Sequence, residues 1–272
     1  MRNRLAMLAA SLAVVLSVGT LPATATEVLR VGGTGAGLAM LTHLGGSFTQ
    51  RTGITVAVVS NLGSSGGLNA LAEGVLDLAV SGRTLKPTEL ASGLVQVATM
   101  RTPYVLASSH PAPLGFTRHE VTAAYTAERA VWPDGAPLRI ILRPRADADT
   151  PLLAALFPGM EAALNQARHR GDAPVAATDQ DNADLAERLP GSLTGMSYTQ
   201  VALERRNLRL VPLDSVVPTL EAFESGAYPH GKVLRLIQPR QPSAAAERFV
   251  QFLRTDEGVL AMREAFCLPD NR

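Results

Sequence analysis

From Val28 onward, apolar runs alternate with turns rich in glycine and hydroxyl groups, and each turn opens onto a helical spacing. Val28 to Val31 reads as a strand, Thr34-Gly35-Ala36-Gly37 follows, and Leu38, Leu41, Leu44 and Phe48 then recur at helical intervals. The construction returns at once. Ile54 to Val59 is a strand, Ser60-Asn61-Leu62 ends it, and Gly63 to Gly67 opens a helix over Leu68 to Glu73. Val75 to Val80 then runs through Ser81-Gly82-Arg83-Thr84 to a helix start at Lys86-Pro87-Thr88-Glu89, where proline suits the first turn. Val95 to Met100 and Tyr104 to Ala107 read as two further strands. The order βαβαβ predicts a largely parallel sheet with helices on both faces.

His110 to Phe116 breaks the pattern with Pro, Gly and His and reads as the passage into a second lobe. There Val121 to Tyr125 predicts a short helix, Val131 to Gly135 a turn holding the only tryptophan, and Leu138 to Leu142 a strand. That strand ends in Arg143 to Thr150 and a helix begins at Pro151, the third strand, polar turn and helix in the chain. Val175 to Thr178 is a short strand, Asn182 to Arg188 a helix, and Leu193 to Tyr198 a strand leading back to the first lobe. Leu208 to Leu213 and Lys232 to Ile237 are further strands, and helices over 244–254 and 256–265 close the chain.

Composition narrows the function. The chain has 272 residues, 46% hydrophobic and 18% charged, which suits a globular protein of one large or two modest domains. Aromatics are only 4% and the formal net charge is +1, with no basic stripe, so nucleic acid is not an expected partner. Arg2 and Arg4, the apolar run Leu5 to Val18 and the small residues Ala23-Thr24-Ala25 form an export signal, cleaved after Ala25. Its loss takes the formal net charge to −1 and leaves a soluble protein outside the cytoplasm. The single cysteine, Cys267, has no disulfide partner and reads as a buried small hydrophobe. The five histidines lack metal-ligand spacing, so neither metal nor cofactor is expected.

Small residues at a strand-to-helix junction leave backbone N–H groups bare at the positive end of the helix dipole, a place for an anion. One such junction is simply a capped helix start. Three in succession suggest a shared anionic ligand.

In order, TGAG (34–37), GSSGG (63–67), LDLAVSGRTLK (76–86), VWPDG (131–135), LRPRADADT (142–150), ERLPGSLTGMSY (187–198) and FVQFLRTDEG (249–258) resemble the periplasmic phosphate-binding proteins of ABC importers. The resemblance spans nearly all of the mature chain. It implies an α/β fold of the type II periplasmic-binding kind, with two lobes, each a mainly parallel sheet flanked by helices, and a ligand cleft between them. Lobe 1 would be discontinuous, 26–108 and 200–272, and lobe 2 would span 109–199. It also implies donors for a tetrahedral oxyanion: Thr34, Gly35 and Ala36 from the first turn, Ser64, Ser65 and Gly66 from the second, and Arg143 or Arg145 with Thr150 from the third.

Two positions depart from the family pattern. Where well-known members have an aspartate that accepts a proton from monohydrogen phosphate, this chain has Ser81-Gly82-Arg83. Arg83 is either a ligand donor, as in members carrying Ser-Arg, or an ion-paired loop arginine. Before the third helix the family has Ser-Gly-Thr, whereas here Asp149 precedes Thr150. Asp149 is either an N-cap or a relocated proton acceptor favouring a protonated ligand. Asp147 and Arg145 could clamp one another. The resemblance implies a monomeric, non-catalytic protein that carries phosphate to an inner-membrane permease. A subunit signalling to a membrane histidine kinase is the alternative. A secreted hydrolase is a poorer one.

Overall fold

The computed structural model describes residues 27–270. The expected export signal lies outside them. In chain order the elements are β1 (Val28–Gly33), α1 (Leu38–Thr52), β2 (Thr55–Val59), α2 (Gly63–Ala72), β3 (Leu78–Ser81), α3 (Pro87–Ala91) and β4 (Leu94–Ser108). Then come α4 (Arg118–Thr126), β5 (Arg139–Ile140), α5 (Asp149–Leu156), α6 (Met160–Arg170), α7 (Asp179–Arg188), β6 (Ser192–Ser197) and α8 (Tyr198–Leu203). β7 (Arg209–Leu210), α9 (Leu220–Glu224), β8 (Gly231–Pro239), α10 (Ala244–Phe252), α11 (Asp256–Glu264) and β9 (Leu268–Pro269) complete it.

The sheet runs β2-β1-β3-β8-β4-β6-β5, with β7 and β9 also pairing with β4. β1 lies parallel between β2 and β3, as the βαβαβ order predicts. β8 and β4 enter antiparallel, and β5 is parallel to β6 at the far edge. The two strands predicted on either side of residues 101–103 are one, β4. Pro103 has no N–H to give, and it stands where β4 exchanges one partner for another: Pro103 faces Gly231 of β8, and Tyr104 faces Ser197 of β6.

Two main cores lie along β4. The first gathers Leu29, Val31, Leu41, Phe48, Leu78 and Val80 with Leu234, Leu236, Phe249, Phe252 and Cys267. The apolar stripe predicted for α1 is what it buries, and Phe48 meets Phe249 edge-on at 5.2 Å. The second core holds Tyr104, Leu106, Tyr125, Trp132, Leu142, Phe157, Val211, Leu213 and Tyr228. Opposite faces of β4 and β6 add Val105, Ala107 and Met196 in a smaller cluster. The sequence reading gives 200–272 to lobe 1. Within that stretch, Val211, Leu213 and Tyr228 pack with the second core.

Among the described residues, no helix is long and apolar enough to cross a membrane, and no group of three or more His, Cys, Asp or Glu side chains could hold a metal ion.

Candidate functional site

The three junctions arise from close backbone approach. At the first, Gly33 has φ +129° and lies so near β3 that a Cβ would sit 2.0 Å from the Val80 carbonyl oxygen. Only glycine fits there, and it lets the Thr34 amide reach that same oxygen at 2.9 Å. The turn over Gly35–Gly37 is a single 3-10 turn, buried throughout. At the second junction, Ser64 Oγ accepts from the Gly82 amide at 3.0 Å, tying the start of α2 to the end of β3. At the third, the N-cap of α5 is Ala148, and Asp147 Oδ1 just before it accepts from the first helical amide, that of Asp149, at 2.9 Å. Asp149 is therefore free of the capping role the sequence suggested for it.

The junctions meet around five charged side chains. Lys232 of β8 is buried beside Thr102 and pairs closely with the Asp149 carboxylate, with Asp179 4.0 Å away. Thr34 Oγ1 donates to Asp179 Oδ2 at 3.2 Å. Arg143 Nη2 reaches Asp147 at 2.7 Å and Asp179 Oδ1 at 3.5 Å. Its Nη1 donates to the carbonyl oxygens of Ala176 and Thr178, just ahead of α7. Gly82 belongs to the same neighbourhood, since a Cβ there would lie 3.2 Å from that of Ala148 and 3.7 Å from Lys232 Cε.

Burial works against the charges of Asp149, Asp179, Lys232 and Arg143, and pairing opposes it. For Asp149 burial prevails: it lifts the carboxyl from its ordinary 3.8 to about 6, against the pull of Lys232. For Asp179 burial also pushes upward, but Lys232, Arg143, the Ala36 amide and Thr34 outweigh it and hold the carboxyl below its usual range. Burial lowers Lys232 and Arg143, yet the neighbouring aspartates raise both overall. Two cations thus face three carboxylates, and Asp149 keeps its proton to higher pH than Asp179 does.

The sequence-predicted residues divide by place. Thr34, Gly35, Ala36, Arg143 and Asp149 stand at the charged cluster, and Ser64 borders it through Gly82. Ser65 and Gly66 lie further out on α2, where exposed Ser65 accepts from Arg83 Nη2 at 3.0 Å. Arg83 forms a two-pronged pair with Glu89, 2.9 and 2.7 Å, and its hydrogen bond drives the Glu89 carboxyl down to about 2. That is the ion-paired loop arrangement. Arg145 turns outward to Asn165, so the suggested Arg145–Asp147 clamp is replaced by Arg143–Asp147. Thr150 spends its hydroxyl on the Pro144 carbonyl at 2.8 Å.

Lys232 and Asp179 do not follow from the junction motifs. Lys232 is in phase with the inward residues Leu234 and Leu236 of β8, and a lysine at a core-facing position was the available signal. Asp179 is masked by its setting. Thr178 and Asp181 form a capping box, so a first-turn aspartate looks like ordinary helix chemistry. The larger concavities lie elsewhere. One of ≈ 560 Å³ is bordered by Arg129, Pro137, Arg139 and Arg170, and one of ≈ 510 Å³ by Arg145, Asn165 and Arg168. Neither contains the charged cluster.

The family model described as PBP superfamily domain matches residues 20–257. No curated protein matches the chain. Among solved structures, it is similar to a putative phosphate ABC transporter substrate-binding protein with bound phosphate from Clostridium perfringens. That match has TM-score 0.74 and 16% identity over 90% of this chain and 100% of that one. A high affinity periplasmic phosphate-binding protein bound with phosphate matches with TM-score 0.68 and 14% identity, over 89% and 90% of the two chains. The Azotobacter vinelandii periplasmic molybdate-binding protein matches with TM-score 0.60 and 16% identity, over 88% and 98%. At these identities the likeness is one of fold: two α/β lobes with a cleft between them.

Proposed function

The chain belongs to the PBP superfamily, and from that membership we propose that it is an exported binding protein that captures phosphate between its lobes and hands it to an inner-membrane ABC permease. One observation carries the reading. Between the lobes a carboxylate, Asp179, is held by the Thr34 hydroxyl, the Arg143 guanidinium and the nearby Lys232 ammonium. Donors of this kind, two of them cationic and all buried, suit an anionic oxygen group. In the low dielectric of a closed cleft they act far more strongly than in water.

Asp149 favours phosphate over sulfate. A carboxyl that keeps its proton to about pH 6 can trade that proton with hydrogen phosphate. Sulfate, which carries no proton at neutral pH, has none to give an ionised Asp149 and would meet repulsion at that contact. Under this reading the contacts are Thr34 and Ala36 from the first turn, Ser64 from the second, Arg143 and Asp149 from the third, and Lys232 from β8. The titratable neighbours Asp147 and Asp179 set the charge they work in.

Calorimetry on the mature protein tests this with phosphate, arsenate, sulfate, molybdate and a phosphonate. Phosphate and arsenate should bind, sulfate should not, and Arg143→Ala should cost at least a hundredfold in affinity. Tighter binding of sulfate or molybdate, or binding of none of these ions, would overturn the assignment.

A further inference from the structure

Asp179 is part of the chain, yet it uses the donors an oxyanion would need. Its place is tightly defined. Asp179 is the first residue of α7, and the turn admits it only because residue 35 is glycine. A Cβ on Gly35 would come within 2.7 Å of the Asp179 Cβ, 2.9 Å of its Oδ2 and 2.3 Å of Gln180 Oε1. The start of α7 is held there by further bonds. Gln180 Nε2 donates to the Gly35 carbonyl at 3.4 Å, and Gln200 Nε2 donates to the Asp179 carbonyl at 3.2 Å. Ser197 Oγ donates to the Ala36 carbonyl at 2.9 Å, bringing the end of β6 to the same turn. Arg143 grips the carbonyls of Ala176 and Thr178 with one nitrogen and shares the other between Asp147 and Asp179.

The charge balance makes this arrangement exclusive. Arg143 and Lys232 already face Asp147, Asp149 and Asp179. A further anion at the Thr34 hydroxyl would lie against the Asp179 carboxylate with no spare cation between them. One of the two anions has to leave.

We propose that Asp179 is an internal competitor for the oxyanion site: its carboxylate bridges the lobes in the anion's place, and phosphate enters by displacing it as the start of α7 withdraws from the 34–37 turn. This rests on the oxyanion reading. It makes Asp179 a residue that weakens capture and selects for anions able to outcompete a carboxylate. It also makes the Asp179 contacts a brace that holds the lobes together when phosphate is scarce.

Asp179→Asn and Asp179→Ala test it. Both leave Lys232 paired with Asp149 and Arg143 paired with Asp147, so the cluster stays balanced and the chain should fold. Titrated with inorganic phosphate, Asp179→Asn should bind at least tenfold more tightly than wild type. Small-angle scattering of the phosphate-depleted proteins should give Asp179→Ala a larger radius of gyration than wild type, with phosphate restoring the compact form. Affinity in Asp179→Asn that is unchanged or weaker would overturn competition, and weaker binding would make Asp179 a ligand contact. Identical radii for the depleted proteins would overturn the brace. If phosphate binds neither wild type nor variants, the oxyanion reading fails, while the scattering comparison still decides whether Asp179 bridges the lobes.

Discussion

Lys232 is an ammonium 2% exposed on a strand whose inward neighbours are leucines. It is tolerated because Asp149 and Asp179 answer its charge. Lys232→Met strips both carboxylates of that partner and should lower the unfolding free energy, read from denaturant titration, by about 3–5 kcal/mol. Replacing the close pair together, Lys232→Met with Asp149→Leu, should recover most of that loss, since two apolar groups need no counter-charge. Asp149 carries a second prediction. Its folded pKa of about 6 lies above the ordinary 3.8, so between these values the folded protein holds a proton that the unfolded chain has released. Stability from this group is full below about pH 4 and is lost as pH rises towards 6. Asp149→Asn should remove that part of the slope in urea titrations across pH 4–7. At this scale the sequence pointed to turns such as those of Thr34 and Arg143, which the structure brings together at Asp179. It was not legible where the meaning comes from a partner far along the chain: Lys232 lies 83 residues from Asp149.

At the scale of elements, short-range pattern was a good guide to strands and helices with one strong apolar face. It placed β1, α1, β2, α10 and α11 closely. It missed α6, whose buried face is Met160, Ala163, Leu164 and Ala167, because alanines give a faint stripe. It overextended the strand at 138–142, where only Arg139–Ile140 pair with β6 and Leu142 instead bridges to Val175. The loop before α3 illustrates how such contacts sort structural from functional charge. Arg83 is engaged by Glu89, Ser65 and the Thr84 carbonyl, all within its own neighbourhood. Arg83→Ala should therefore leave the calorimetric phosphate affinity within twofold of wild type. Its stability cost should be about 1 kcal/mol or less, as for a partly solvated pair. A tenfold loss of affinity would return Arg83 to the binding surface.

For the molecule as a whole, the α/β class was readable from the order of junctions, because each junction is a local event repeated, and the two-lobed architecture was what the family resemblance implied. The sharing of one core between distant stretches came only with the family resemblance, which implies a discontinuous first lobe. Leu29, Val31 and Phe48 are covered by Leu234, Leu236 and Phe249, and Cys267 Sγ reaches Met40 Sδ at 3.4 Å across 227 positions. The second core, by contrast, draws on residues 104–228 alone. A chain delivered amino end first, from a ribosome or a translocon, thus presents β1 and α1 before their cover has been made. The late-arriving carboxyl end closes a lobe that the early end began. Such a molecule has a waiting period built into its synthesis, during which the apolar faces of β1 and α1 need shelter from other chains.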